Sequence, residues 1–176
     1  MQALLVIDMQ TAYLRGETVR LDLDGVISRI NHAASCMRAR GGKVVFIRHN
    51  NEEAALGSAG WQVDSALVVE PGDSYVNKEA CDSFSGTTLA EVLSACGAST
   101  LYMCGMATEF CVDTTVRAAL SRGFDVVALS DAHTTGDRPH LTASQIVAHH
   151  NWTWENIAAP ARRKIHVLTV ADAFAA

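Results

Sequence analysis

Five nearly continuous apolar runs, separated by helical patterns, constrain the fold more than any other feature of the chain. They are ALLVI (3–7), KVVFI (43–47), TLYMC (100–104), DVVAL (125–129) and KIHVL (164–168). A strand with water on one face alternates apolar and polar residues, whereas a strand covered on both faces has no need to. Runs this short and uniform predict the buried strands of a parallel sheet with helices on each side. The segment SYVNK (74–78) adds a further strand, or the end of one.

Helical spacing fills the intervals. Residues 23–40 place Val26, Ile30, Ala33, Ala34 and Met37 on one face and stop at Gly41-Gly42. Residues 87–96 group Leu89, Val92, Leu93 and Cys96 before Gly97, and residues 109–122 group Val112, Val116, Ala119 and Leu120 before Gly123. A weaker pattern covers 140–150. Alternating strand and helix predict an α/β fold: a three-layer αβα, Rossmann-like domain around a mainly parallel sheet of about six strands. Neither a repeat nor a linker interrupts the 176 residues, so a single domain over 1–176 is expected. Segments 9–22, 49–73 and 130–139 read as irregular, and 49–73 is long enough to suggest a functional loop.

Composition removes several function classes. Fourteen basic against nineteen acidic residues give a net charge of −5, and the densest basic stretch is ARRK (161–164). Nucleic acid is therefore not the expected partner. No apolar run reaches transmembrane length, so no membrane partner is expected either. The opening MQALLVIDMQ lacks a basic n-region and meets an aspartate at position 8, unlike a signal peptide. The five cysteines include no C-x-x-C pair, which predicts free thiols in a reducing cytoplasm and no zinc site.

Ligands of open parallel sheets bind beyond the carboxyl ends of the strands. Asp8 follows the first strand, Lys78 ends the 74–78 segment, and CGMATEFCVDTT (104–115) leads from a strand into a helix. With Thr108 as N-cap, Cys111 is the third helical residue, where the helix dipole favours a thiolate and free backbone N–H groups favour an oxyanion. Asp8 can take the thiol proton and the Lys78 ammonium can hold the anion. Each residue also has a plainer role: a buried thiol, a turn cap, a solvated lysine.

Around this trio, Gln10 orients Asp8 or touches substrate, and His49 is a substrate contact or an ordinary loop histidine. Trp61 and Phe84 are pocket walls or loop anchors. Cys104 reads as core rather than as a redox partner of Cys111, Glu109 as solvated, and Asp131 as a brace after its strand. HHNWTW (149–154) suggests subunit or core packing rather than a metal cage.

LLVIDMQ with Asp8, NKEACDSFSGTTL with Lys78 and CGMATEFCVDTTVRAALSRGFDVVALSDA with Cys111 together resemble the isochorismatase-like cysteine hydrolases. The likeness is to the streptothricin hydrolase-like and N-carbamoylsarcosine amidohydrolase-like branch, and it runs in order over nearly the whole chain. The resemblance implies an Asp8–Lys78–Cys111 triad and a cis peptide at Met106–Ala107. It also implies oxyanion donors at the N–H groups of Ala107 and Cys111, with Thr108 beside the pocket. Nicotinamidases of this family bind a metal through an Asp-x-His pair. Here the region reads FIRHNNEEAALGSAGW, with His49 alone, so neither metal nor cofactor is expected. The expected activity is hydrolysis of a small amide, carbamoyl or related carbonyl substrate, by a homodimer or higher homo-oligomer. A non-catalytic ligand-binding or scaffolding member of the fold, and a thiol-redox protein using Cys104 and Cys111, are the alternatives.

Overall fold

The computed structural model describes residues 1–160 and 163–175. Among the described residues, six strands form one parallel sheet: β1 Gln2–Ile7, β2 Lys43–His49, β3 Ser74–Lys78, β4 Thr100–Met106, β5 Asp125–Thr134 and β6 Ile165–Leu168. Their spatial order is β3-β2-β1-β4-β5-β6. The order reverses between β1 and β4, and the crevice at that switch point is where such sheets bind ligands.

The uniform apolar runs divide between two cores because successive side chains point to opposite faces. Leu4, Val6, Val44, Phe46 and Cys104 pack on one face against helix α2 (Leu23–Ala39) and the short terminal helix α6 (Val170–Ala173). Leu5, Ile7, Val45, Leu101 and Met103 pack on the other, under α3 (Leu89–Ala95), α4 (Asp113–Ser121) and α5 (Ala143–Asn156). The layers are thus helix, sheet, helix. Among the described residues, no helix is long and apolar enough to cross a membrane.

Several boundaries differ from the sequence expectation. The irregular stretch 9–22 contains one short helix, α1 (Thr11–Arg15). The pattern at 140–150 starts later and runs on to Asn156, because Thr142 forms a capping box with Gln145. The segment 130–134, expected to be irregular, continues β5. Its pairing slips from Met103 opposite Ala128 to Gly105 opposite His133, and this bulge returns Ala132, His133 and Thr134 to the sheet. Thr108 is not the N-cap: Ala107 is, and residues Thr108–Val112 form a π-helical turn ahead of α4. The Ala107 carbonyl accepts from both Phe110 N (3.0 Å) and Val112 N (3.2 Å), which opens the turn by one residue. Cys111 is therefore its fourth residue. The basic stretch 161–164 lies partly outside the described residues.

Gly105 lets β4 approach β1 closely. Its φ is +117°, and a Cβ there would meet the backbone of Ile7, 2.6 Å from the nitrogen and closer still to the carbonyl oxygen. Backbone cannot step aside as a side chain can. Gly105→Ala is expected to lower the free energy of unfolding in urea by about 3 kcal/mol, from overpacking and an unfavourable φ together.

His133, on the returning part of β5, is buried, and desolvation pushes its imidazole down to about 4 from the ordinary 6.5. Between those values the unfolded chain holds a proton that the folded ring refuses. This contribution to stability is complete above about pH 6.5 and is lost as pH falls towards 4, by roughly 3 kcal/mol in all. His49, also pushed down by burial, acts in the same sense. Urea unfolding at pH 7 and pH 4.5 checks the slope, which should flatten in His133→Phe.

Candidate active site

The switch point brings the ends of four parallel elements together. Asp8 follows β1 with φ +53°, a left-handed conformation that aspartate tolerates. Its N–H reaches back to the Ile47 carbonyl of β2 at 3.0 Å. His49 and Lys78 end β2 and β3 in register with each other. Cys111 arrives on the turn after β4.

The Lys78 ammonium lies at the centre. It is 2.8 Å from Asp8 Oδ2, 2.8 Å from His49 Nδ1, 3.1 Å from Cys111 Sγ and 3.1 Å from the Ala80 carbonyl. Its side chain has no exposed surface. Three N–H groups thus serve four acceptors. Because lysine only donates, His49 Nδ1 accepts and the ring hydrogen of neutral His49 sits on Nε2. Asp8 Oδ1 is buried and has no hydrogen-bond partner among the described residues.

The charges are strongly interdependent. Burial raises the Asp8 pKa, against the attraction of Lys78. Burial also raises that of Cys111, followed by the repulsion of the Asp8 carboxylate, with Lys78 opposing both. Burial thus disfavours the charged form of both groups, and the Lys78 ammonium is the contact that favours it. The favourable field of the first turn expected for a Cys111 thiolate is opposed here by desolvation and by Asp8.

A cavity of about 200 Å³ opens on Asp8 and Cys111. Its walls are Tyr13, His49, Asn51, Cys81, Met106, Ala107 and Phe110. The Met106–Ala107 peptide is cis, and among the described residues the Ala107 N–H meets no acceptor. His49 faces this cavity, and its Nε2 has no protein partner among the described residues.

The other expected pocket residues lie elsewhere. The Gln10 amide is consumed by backbone: it donates to the His49 and Trp61 carbonyls at 2.9 Å each and accepts from His49 N at 2.6 Å. It fastens the 49–64 loop to the end of β1 and meets neither Asp8 nor the cavity. Trp61 lies under the Arg48 guanidinium, 3.7 Å from its ring centroid. Phe84 stacks on Phe124 at 5.8 Å beneath Arg122, anchoring its loop to the helix layer. The Thr108 hydroxyl turns away to His133 Nδ1 at 2.8 Å. Position on the rim was visible in the sequence; side-chain direction was not.

Tyr13, Asn51, Cys81 and Phe110 were missed as pocket residues. Tyr13 and Asn51 lie in segments read as irregular, and the Tyr13 hydroxyl donates to Asn51 Oδ1 at 3.0 Å. Phe110 sits inside the recognised motif. Glu109 is not solvated as expected: it accepts from Thr135 Oγ1 at 3.0 Å and Arg138 Nε at 2.6 Å. Asp131 braces its strand as a structural residue, accepting from Val170 N at 2.9 Å. In the HHNWTW segment, Trp154 is buried core and Trp152 is 63% exposed.

Cys104 and Cys111 belong to opposite cores with the sheet between them, and Cys104 donates to the Leu5 carbonyl at 3.4 Å. That separation removes the redox pairing. Asp8, His49 and Cys111 each offer a ligand atom within 4.8 Å of one another, enough to recruit a metal in principle. The Lys78 ammonium is within 3.1 Å of all three, so the chain's own cation occupies the position a metal ion would need.

The isochorismatase domain family matches residues 2–172. Streptothricin hydrolase from Streptomyces noursei is 38% identical over 143 residues, 78% of this chain and 56% of that protein. Ureidoacrylate amidohydrolase RutB from Methylorubrum extorquens is 30% identical over 178 residues, 78% of this chain and 71% of that protein. The chain spans about half the length of the streptothricin hydrolases it matches. The crystal structure of an isochorismatase family protein superposes with a TM-score of 0.87 at 31% identity, covering 96% of this chain and 98% of that one. A cysteine hydrolase from Pseudomonas syringae shares the fold, with a TM-score of 0.89 at 23% identity over 98% and 90% of the two chains. Matched almost from end to end in sequence and in backbone, the chain belongs to the isochorismatase family.

Proposed function

We propose that the protein is a cysteine-dependent hydrolase that cleaves the C–N bond of a small amide, carbamoyl or related carbonyl substrate through a thioester. The observation that carries this reading is the convergence of Asp8 and Cys111, which line the switch-point cavity, on the buried ammonium of Lys78. The relatives named as a hydrolase and an amidohydrolase support it.

The steps follow from the proton inventory. Substrate binds over Cys111, and the free Oδ1 of Asp8 takes the thiol proton as sulfur attacks the carbonyl carbon. The carbonyl oxygen gains the charge and is held by the N–H groups of Ala107 and Cys111. The proton on Asp8 passes to the leaving nitrogen, the C–N bond breaks and ammonia or an amine departs. Water then gives a proton to Asp8 and attacks the thioester, the C–S bond breaks, and Asp8 returns the proton to sulfur. Lys78 stays charged throughout and limits the cost of each anion near it. The Nε2–H of His49 donates to an acceptor on the substrate. No cofactor enters these steps.

The substrate is a small molecule, consistent with a cavity of about 200 Å³. Catalysis needs Cys111 as a free thiol, which suits a reducing cytoplasm.

Ammonia release from a panel of small amides tests the function. Wild type should turn over at least one member without loss in EDTA. Cys111→Ala should fall by at least about a thousandfold with its melting temperature retained, whereas Lys78→Met should fall by about a hundredfold and melt lower, because Asp8 loses its buried counter-ion. Binding of an amide with no turnover by wild type would leave a ligand-binding member of the fold instead. The assembly proposed is a homodimer or higher homo-oligomer, supported by the exposed Trp152. Sedimentation should give at least twice the 18.8 kDa chain mass, and Trp152→Glu should shift it towards the monomer.

A further inference from the structure

Behind the cavity lies a buried polar chain that the reaction steps above do not use. It runs from Ser130 and His133 on the β5 bulge, through Asn151 on α5, to Thr108 at the head of the π turn. His133 is 3% exposed and Thr108 has no exposed surface.

The chemistry of the partners fixes the direction of every bond. The Ser130 carbonyl can only accept, so Asn151 presents Nδ2 to it, at 2.9 Å. Asn151 Oδ1 is then the atom facing His133 Nε2 at 3.0 Å, and an amide oxygen can only accept. Nε2 must therefore carry the ring hydrogen, which leaves Nδ1 of the neutral ring as a bare acceptor. The Thr108 hydroxyl, 2.8 Å away, donates to it. The single hydroxyl hydrogen of Thr108 is thus committed away from the cavity, and its side chain is confined to one rotamer.

Thr108 follows Ala107, whose N–H lines the cavity, and stands three residues before Cys111. The far end of the turn is held from the same helix: Trp154 Nε1 donates to Asp113 Oδ1 at 2.7 Å, and the Trp154 ring packs edge-on against His133 with centroids 5.0 Å apart. A π turn is a sparsely used backbone form. Helix α5 grips it at both ends, through His133 at Thr108 and through Trp154 at Asp113.

We propose that His133 is a positioning residue: by taking the Thr108 hydroxyl hydrogen, with its own tautomer set by Asn151, it holds the turn that aims Cys111 Sγ and the Ala107 N–H into the cavity. The inference assigns a role within the hydrolase reading and rests on it for its purpose, but not for its test. A misplacement of about 1 Å in a reacting group costs on the order of a hundredfold in rate, so loss of this grip should be visible in reactivity.

The test is the rate of Cys111 alkylation by iodoacetamide at pH 7.5 in the full chain, followed by peptide mass spectrometry. Labelling of core residue Cys104 serves as the report of unfolding. His133→Phe and Thr108→Val are each expected to change the Cys111 rate by about tenfold or more with Cys104 still protected, while Thr108→Ser keeps the wild-type rate. The double variant should differ no further than either single one, since both break the same bond. Wherever an amide is turned over, kcat should fall while KM stays within about twofold. Unchanged Cys111 rates in folded His133→Phe or Thr108→Val, or additive effects in the double variant, overturn the proposal. If His133→Phe exposes Cys104, the near-isosteric Thr108→Val decides. A wild type that releases ammonia from no amide overturns the hydrolase reading instead, and the alkylation ratio still decides this one.

Discussion

A lysine ammonium withdrawn entirely from solvent governs the architecture of this site. An unpaired buried charge costs several kcal/mol, so the fold must surround Lys78 with acceptors before it can close. It does so from separate parts of the chain. Asp8 comes from the end of β1, His49 from β2, the Ala80 carbonyl from just beyond β3, and Cys111 from the turn after β4. Removing Lys78 would leave a buried carboxylate with no counter-ion. Removing Asp8 would leave a buried ammonium facing a thiol. The same contacts that let the sheet ends pack also bring a carboxyl, an ammonium and a thiol together beside one cavity.

That clustering depends on strand order. Asp8 and Cys111 meet because β1 and β4 are neighbours, and these strands come close enough because position 105 carries no side chain. The π turn then lifts Cys111 over the end of β1, and α5 holds that turn from behind. Electrostatics and packing are thus joined: the charges draw the strand ends together, and the helix layer sets where the sulfur points. Desolvation and the neighbouring Asp8 raise the thiol pKa of Cys111, and the Lys78 ammonium opposes them.

Much of the fold could be read from the chain because buried parallel strands leave uniform apolar runs. Helix α2 matched its pattern closely, with Val26, Ile30, Ala33, Ala34 and Met37 all buried. The bulge in β5 was hidden, because SDAHT carries four polar residues that find partners or space only in three dimensions. The π turn was hidden too, since no residue type marks an extra residue between Ala107 and Val112. Gln10, Trp61 and Phe84 sit on the correct rim but serve loop anchorage. A side chain within reach of a cavity and one facing it look identical in sequence.

The amino-acid sequence by itself determined the layered α/β class and the strand-end positions of Asp8, Lys78 and Cys111, because each leaves a local signature: an apolar run, a helical period, a motif at a strand end. Tertiary structure decided the strand order, the central position of the ammonium, the part played by His49 and the bond from Thr108 to His133. These depend on residues tens of positions apart meeting in a space closed to water. There, partner and direction set each group's protonation, and no local pattern records them.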